Sequence, residues 1–147
     1  MAYKFVLPYP QQGLPFIWNV SQHVGYKKTC PNRTTDVELC QFFFRQLADA
    51  GDIGESVVGT AKMPKISVNG IFDAVLGFWI YLEQDTPGAT MDGVISPAKG
   101  VSYGSNIWLI TWLNVRFQKN FPEAFLTLDK DPRLSAALRA DLSKTKP

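Results

Sequence analysis

The chain has 147 residues, of which 46% are hydrophobic, 13% aromatic and 19% charged, and its net charge is +2. That length fits one domain, with or without an elaborated end. The composition supplies a sizeable core and excludes a disordered chain, and the near-neutral balance gives no field that would draw nucleic acid or a membrane surface.

Reading from the start, Tyr3-Lys4-Phe5-Val6-Leu7 predicts a short strand, broken by Pro8 and Pro10. Gln11-Gln12-Gly13 can turn the chain, and Phe16-Ile17-Trp18-Asn19-Val20 predicts a second strand. Residues 1–23 are therefore expected as an N-terminal β-hairpin or extended arm. No secretion leader is read here, because only Phe5-Val6-Leu7 separates Lys4 from Pro8.

Residues 21–33 read as loop. A first helix begins near Thr35, where Thr35-Asp36-Val37-Glu38 fits a capping box. Val37, Cys40, Phe44 and Leu47 recur at helical spacing, with Leu39 and Phe43 widening the stripe, and Gly51 or Asp52 ends it. Residues 51–64 read as a flexible connection. Ile66 and Val68 flank Ser67 like an extended entry, Asn69-Gly70 signals a turn, and Asp73 is placed to cap a second helix. Residues 74–82 are apolar throughout, which predicts a central helix buried on most faces. The same run is far shorter than the roughly 20 residues that span a bilayer.

Residues 85–100 read as loop again, with turns at Pro87-Gly88 and Asp92-Gly93. Ser102 or Ser105 is expected to cap a third helix with Ile110, Leu113 and Phe117 on one stripe and Trp108, Trp112 and Val115 beside it, stopping at Phe121-Pro122. Asp131-Pro132 predicts a fresh start, with Leu134, Ala137, Leu138 and Leu142 on the apolar face. Residues 143–147 are expected to fray.

Cys30 and Cys40 are expected as free thiols, Cys40 in the core, with a bridge between them as the alternative. With His23 the only histidine, a Cys/His zinc site cannot be assembled in one chain, carboxylate ligands aside. No metal or cofactor is expected.

Val24-Gly25, then Pro31-Asn32-Arg33, then Asp36-Val37 and Gln41 within a helix, form an ordered series. It continues with Val68-Asn69-Gly70-Ile71-Phe72, with Gln84 closing the second helix, and with Asp92-Gly93-Val94-Ile95-Ser96-Pro97. In order and spacing the series resembles the peptidoglycan-binding domain family found beside cell-wall hydrolases, over about residues 24–114. The departures are Asn69 for the usual turn aspartate, Asp73 for glycine, Leu76 for threonine and Glu83 for phenylalanine. The resemblance implies a mainly α chain: a three-helix bundle over 24–121, preceded by the arm and followed by an extra C-terminal helix in 122–147. It also implies a bacterial or phage protein that binds peptidoglycan without cleaving it.

For contact with a glycan the candidates are Tyr26, Tyr81, Tyr103 and Trp108, since an aromatic ring can lie on a sugar face while polar neighbours fix its hydroxyls. Core packing is the alternative for Tyr81 and Trp108. Lone His23 has no organised partners in the sequence. Asp36, Glu38, Glu83, Asp85 and Asp92 could supply a glycosidase pair, but capping explains Asp36 and Glu38 and a turn explains Asp92, so no enzyme is expected. Phe78, Trp79, Tyr81, Trp108 and Trp112 exceed what a bare three-helix bundle would bury. Either the arm and the last helix cover them, or a second chain does. The alternative function is accordingly a protein–protein adaptor or structural subunit of the phage or secretion-system type, its oligomeric state open. The protein is expected to be made in the cytoplasm, without membrane insertion, and either kept there or exported by a leaderless route.

Overall fold

The computed structural model describes residues 1–11, 13–53, 64–85, 90–100, 102–103 and 106–146. The turn at Gln12, most of the connection expected over 51–64, Pro87-Gly88 and Ser105 lie outside them. A long hairpin opens the chain, β1 (Tyr3–Gln11) antiparallel to β2 (Leu14–Asn19), with the register shifting between Val6 and Gln11. β3 (Val24–Gly25) leads into α1 (Thr34–Asp49), then α2 (Ala74–Gln84) and β4 (Val94–Ile95). A small ribbon of β5 (Ser102–Tyr103) and β6 (Asn106–Ile107) precedes α3 (Leu109–Asn120). α4 (Pro122–Leu126), a 3-10 turn, α5 (Ala136–Leu142) and β7 (Thr145–Lys146) complete the order.

This corrects the expectation of a mainly α three-helix bundle. There are five α-helices among the described residues, together with a three-stranded sheet in the order β2-β1-β7 and two two-stranded ribbons, so the class is mixed. The hairpin is part of the core: Leu14, Ile17 and Trp18 are fully buried. The Trp18 indole donates to the Phe125 carbonyl at 2.8 Å, and Phe16 stacks on Phe125 with centroids 5.0 Å apart.

The central helix is α1, where α2 was expected. Phe42, Phe43 and Phe44 occupy successive positions about 100° apart around the axis, so they face different neighbours. Phe42 and Phe43 meet Phe117 of α3, while Phe44 meets Trp79 of α2. α2 buries Leu76, Trp79, Ile80 and Gln84 and leaves Phe78 and Tyr81 exposed. A helix apolar on every side carries no pattern to say which side faces water, and here packing selects one stripe.

The capping box does not form at Thr35 and Glu38, because Arg33 stands at the N-cap and no side chain caps α1. The same residues make tertiary ties instead. Thr35 Oγ1 donates to Asp141 at 2.7 Å, joining the end of α5. The fully buried Asp36 carboxylate accepts from the Ser21 and Gln22 amides and the Ser21 hydroxyl. Glu38 accepts from the Ser135 amide and hydroxyl. Asp73 does cap α2, accepting from the Leu76 amide at 2.8 Å.

Further along, α3 starts at Leu109 with no side-chain cap, and Ser102 lies in β5. Pro122 ends α3 but also opens α4. The start expected at Asp131-Pro132 is displaced to Ser135, whose hydroxyl accepts from the Leu138 amide, while Asp131 holds Arg133. Nor does the tail fray through Lys146: Lys4 donates to the Lys144 carbonyl at 2.9 Å and β7 runs parallel to β1.

Buried Asn and Gln side chains act as partners for backbone in loops and at a strand edge. Asn114 accepts from the Trp18 amide at 2.8 Å and donates to its carbonyl at 2.9 Å. Asn19 does the same for Ala98, and Gln41 serves residues 69–71. We expect Asn114→Leu to leave both Trp18 groups unpaired and to cost about 2–4 kcal/mol. A lower urea midpoint at unchanged m-value would register it.

Candidate ligand-binding site

The two turns identified in the sequence share one construction. In the first, Gln41 Oε1 accepts from the Asn69 and Gly70 amides, while its Nε2 donates to Asn69 Oδ1 and the Ile71 carbonyl. Asn69 Oδ1 also accepts from the Ile71 amide. In the second, Gln84 Oε1 accepts from the Gly93 amide, and its Nε2 donates to Asp92 Oδ1 and the Val94 carbonyl. Asp92 Oδ1 in turn accepts from the Val94 amide. Gly70 and Gly93 have φ of 74° and 68°, a region that side chains with a Cβ adopt at a cost.

What lies above each turn differs. Thr34 sits over Gly70, whereas the rings of Tyr26 and Tyr81 sit over Gly93. β3 pairs with β4, Gly25 opposite Val94, and this carries the segment after Gly25 alongside the Asp92-Gly93 turn. Asn32, itself at φ 47°, holds Gly25 by both backbone groups at 2.9 Å. Tyr81 stands three residues before the clamping Gln84. The two phenol rings have centroids 6.0 Å apart, tilted by 36°, with their hydroxyls 3.5 Å apart. Both are open to solvent, Tyr26 at 55% and Tyr81 at 37%. The Tyr81 phenol is pushed above its ordinary range, first by the Tyr26 hydroxyl contact and then by the charge Tyr26 takes on when ionised.

On the same turn opens a small cleft of about 150 Å³, lined by His23, Lys27, Cys30, Asp92, Val94 and Ser96 among others. His23 Nδ1 and Ser96 Oγ are 3.0 Å apart. Asp92 spends one oxygen on the turn, and its other makes no hydrogen bond among the described residues. An apolar two-ring surface thus adjoins a polar cleft offering a cation, a hydroxyl, an imidazole and a carboxylate.

Of the four aromatic candidates, the structure brings Tyr26 and Tyr81 together. Trp108 is half-buried against the core at the start of α3, and the Tyr103 side chain lies outside the described residues. Cys30 and Cys40 are both free. Among the acids, Asp36 and Glu38 are held by the ties above. Glu83 is half-buried, and burial first, then the Asp52 charge, pushes its carboxyl up, while Arg116 opposes them. Arg116 grips Asp52 with two nitrogens. Among the described residues, no group of three or more His, Cys, Asp or Glu is placed to hold a metal ion. None of their helices is long and apolar enough to cross a membrane.

The participation of His23, Cys30 and Ser96 was not read from the sequence. Two-residue strands carry no periodic signal, and their pairing spans about seventy positions. No family model, curated protein or solved structure matches the chain.

Burial pushes the Cys40 thiol far up and leaves it no access, while Cys30 opens on the cleft. In native protein, iodoacetamide at mildly alkaline pH is expected to modify Cys30 alone, and both thiols in urea. Peptide mass spectrometry would detect native modification at Cys40, which would contradict this placement.

Proposed function

We propose that the protein is a non-catalytic recognition module for a cell-wall glycan, peptidoglycan in the first instance, with Tyr26 and Tyr81 as its contact surface. The observation that carries this reading is the exposed tyrosine pair beside the polar cleft. Phenol rings cover an apolar sugar face, and the hydroxyl, imidazole, ammonium and carboxylate around them can fix the hydroxyls. The sequence resemblance contributes the choice of glycan. Its support comes from particular residues, Gln41, Asn69-Gly70, Gln84 and Asp92-Gly93, since the chain as a whole is not a three-helix bundle.

A second reading, a protein–protein adaptor, is favoured by Phe78. It is 42% exposed on α2, on the face that also carries Tyr81, so the apolar surface runs past the pair along the helix. Light scattering and co-purification separate the two readings. A complex that masks Phe78 favours the adaptor, and a monomer retained on wall material favours the glycan.

Co-sedimentation with purified sacculi is the direct test. Wild type should pellet, and Tyr26→Ala or Tyr81→Ala should each weaken binding by about tenfold, roughly 1.4 kcal/mol. Wild type remaining in the supernatant would end the glycan reading.

A further inference from the structure

We infer that Gly93 is the seat that sets the spacing and tilt of the Tyr26–Tyr81 surface, and that Gln84, by gripping the turn, is the positioning residue behind it. The inference rests on reading that surface as the ligand site, and it adds residues that would not themselves touch the glycan.

The argument is steric. A Cβ built on Gly93 would stand 2.5 Å and 2.8 Å from atoms of the Tyr26 ring and 2.7 Å from the Tyr81 ring. Both rings would have to move, and because both stand at the surface they can, so the surface opens while the core stays packed. Gln84 is 7% exposed and bonds the turn at three atoms, at 2.8, 3.0 and 3.1 Å, so the turn cannot drift to absorb the strain. The glycine therefore acts on both rings at once, although one arrives from the segment after β3 and the other from α2.

The first turn provides a control within the same molecule. Gly70 shares the positive φ and the glutamine grip, but a Cβ there would meet Thr34, at 2.6 Å from its methyl carbon. Gly70→Ala therefore carries the backbone strain and a local clash without touching the tyrosines. Gly93→Asn keeps a Cβ under the rings while using a residue that tolerates positive φ, so it serves if Gly93→Ala fails to fold.

Two readouts are taken on the full chain: co-sedimentation with sacculi and ultraviolet titration of the phenols. Gly93→Ala and Gly93→Asn should lose wall binding by tenfold or more, and Tyr81 should titrate lower as its contact with Tyr26 is lost. Gly70→Ala should keep both properties. Gln84→Ala should follow Gly93→Ala in both. Unchanged binding and titration in the folded Gly93 variants would overturn the inference. If wild type itself binds no wall material, the glycan reading falls alone, and the titration still decides whether Gly93 spaces the rings.

Discussion

Buried amide N–H and C=O groups must find partners, and in its loops and at strand edges this chain finds many of them on Asn and Gln side chains. A primary amide carries one acceptor oxygen and two donor hydrogens, the same inventory a neighbouring strand would offer. Asn19 serves Ala98, Asn32 serves Gly25, Asn114 serves Trp18, and Gln41 and Gln84 serve the two tight turns. The ribbons are two residues long and could not hold these loops alone. The amides let short strands, irregular connections and helices share one core, and the tyrosine surface depends on two of them, Asn32 and Gln84.

A second set of ties gathers at the first turns of α1. Asp36 holds the exit from β2, Thr35 the end of α5, and Glu38 its start. Asp36 is fully buried, which is tolerable because its carboxylate receives three hydrogen bonds at 2.9–3.1 Å. The helix that supplies Phe42, Phe43 and Phe44 to the core is thus also the element on which the hairpin and the last helix are hung. Tyr81 projects from α2 and Tyr26 from the segment after β3, both at the surface, where their exposure costs the core little.

The sequence made some of this legible and concealed the rest for identifiable reasons. The hairpin, α1, α2 with its Asp73 cap, and the turns at Gly70 and Gly93 were readable because each rests on local chemistry within a few residues. Thr35 and Glu38 matched a local capping pattern, yet partners about a hundred positions away took their side chains. The exposed face of α2 could not be read, since Val75, Phe78, Tyr81 and Leu82 are all apolar or aromatic and only packing distinguishes them. Tyr26 and Tyr81 were visible as candidates; their meeting was not, because β3 and β4 bring them together from opposite ends of a long intervening chain.

The parallel pairing of β7 with β1 has a mechanical consequence. A chain pulled through its first and last strands would drive β1 and β7 along each other in opposite directions, loading their hydrogen bonds together in shear. Antiparallel end strands pulled the same way would instead unzip one bond at a time. The Lys4–Thr145 and Phe5–Lys146 pairs form a short clasp, but in that geometry it must yield as a unit before tension reaches the hairpin or the helices behind it.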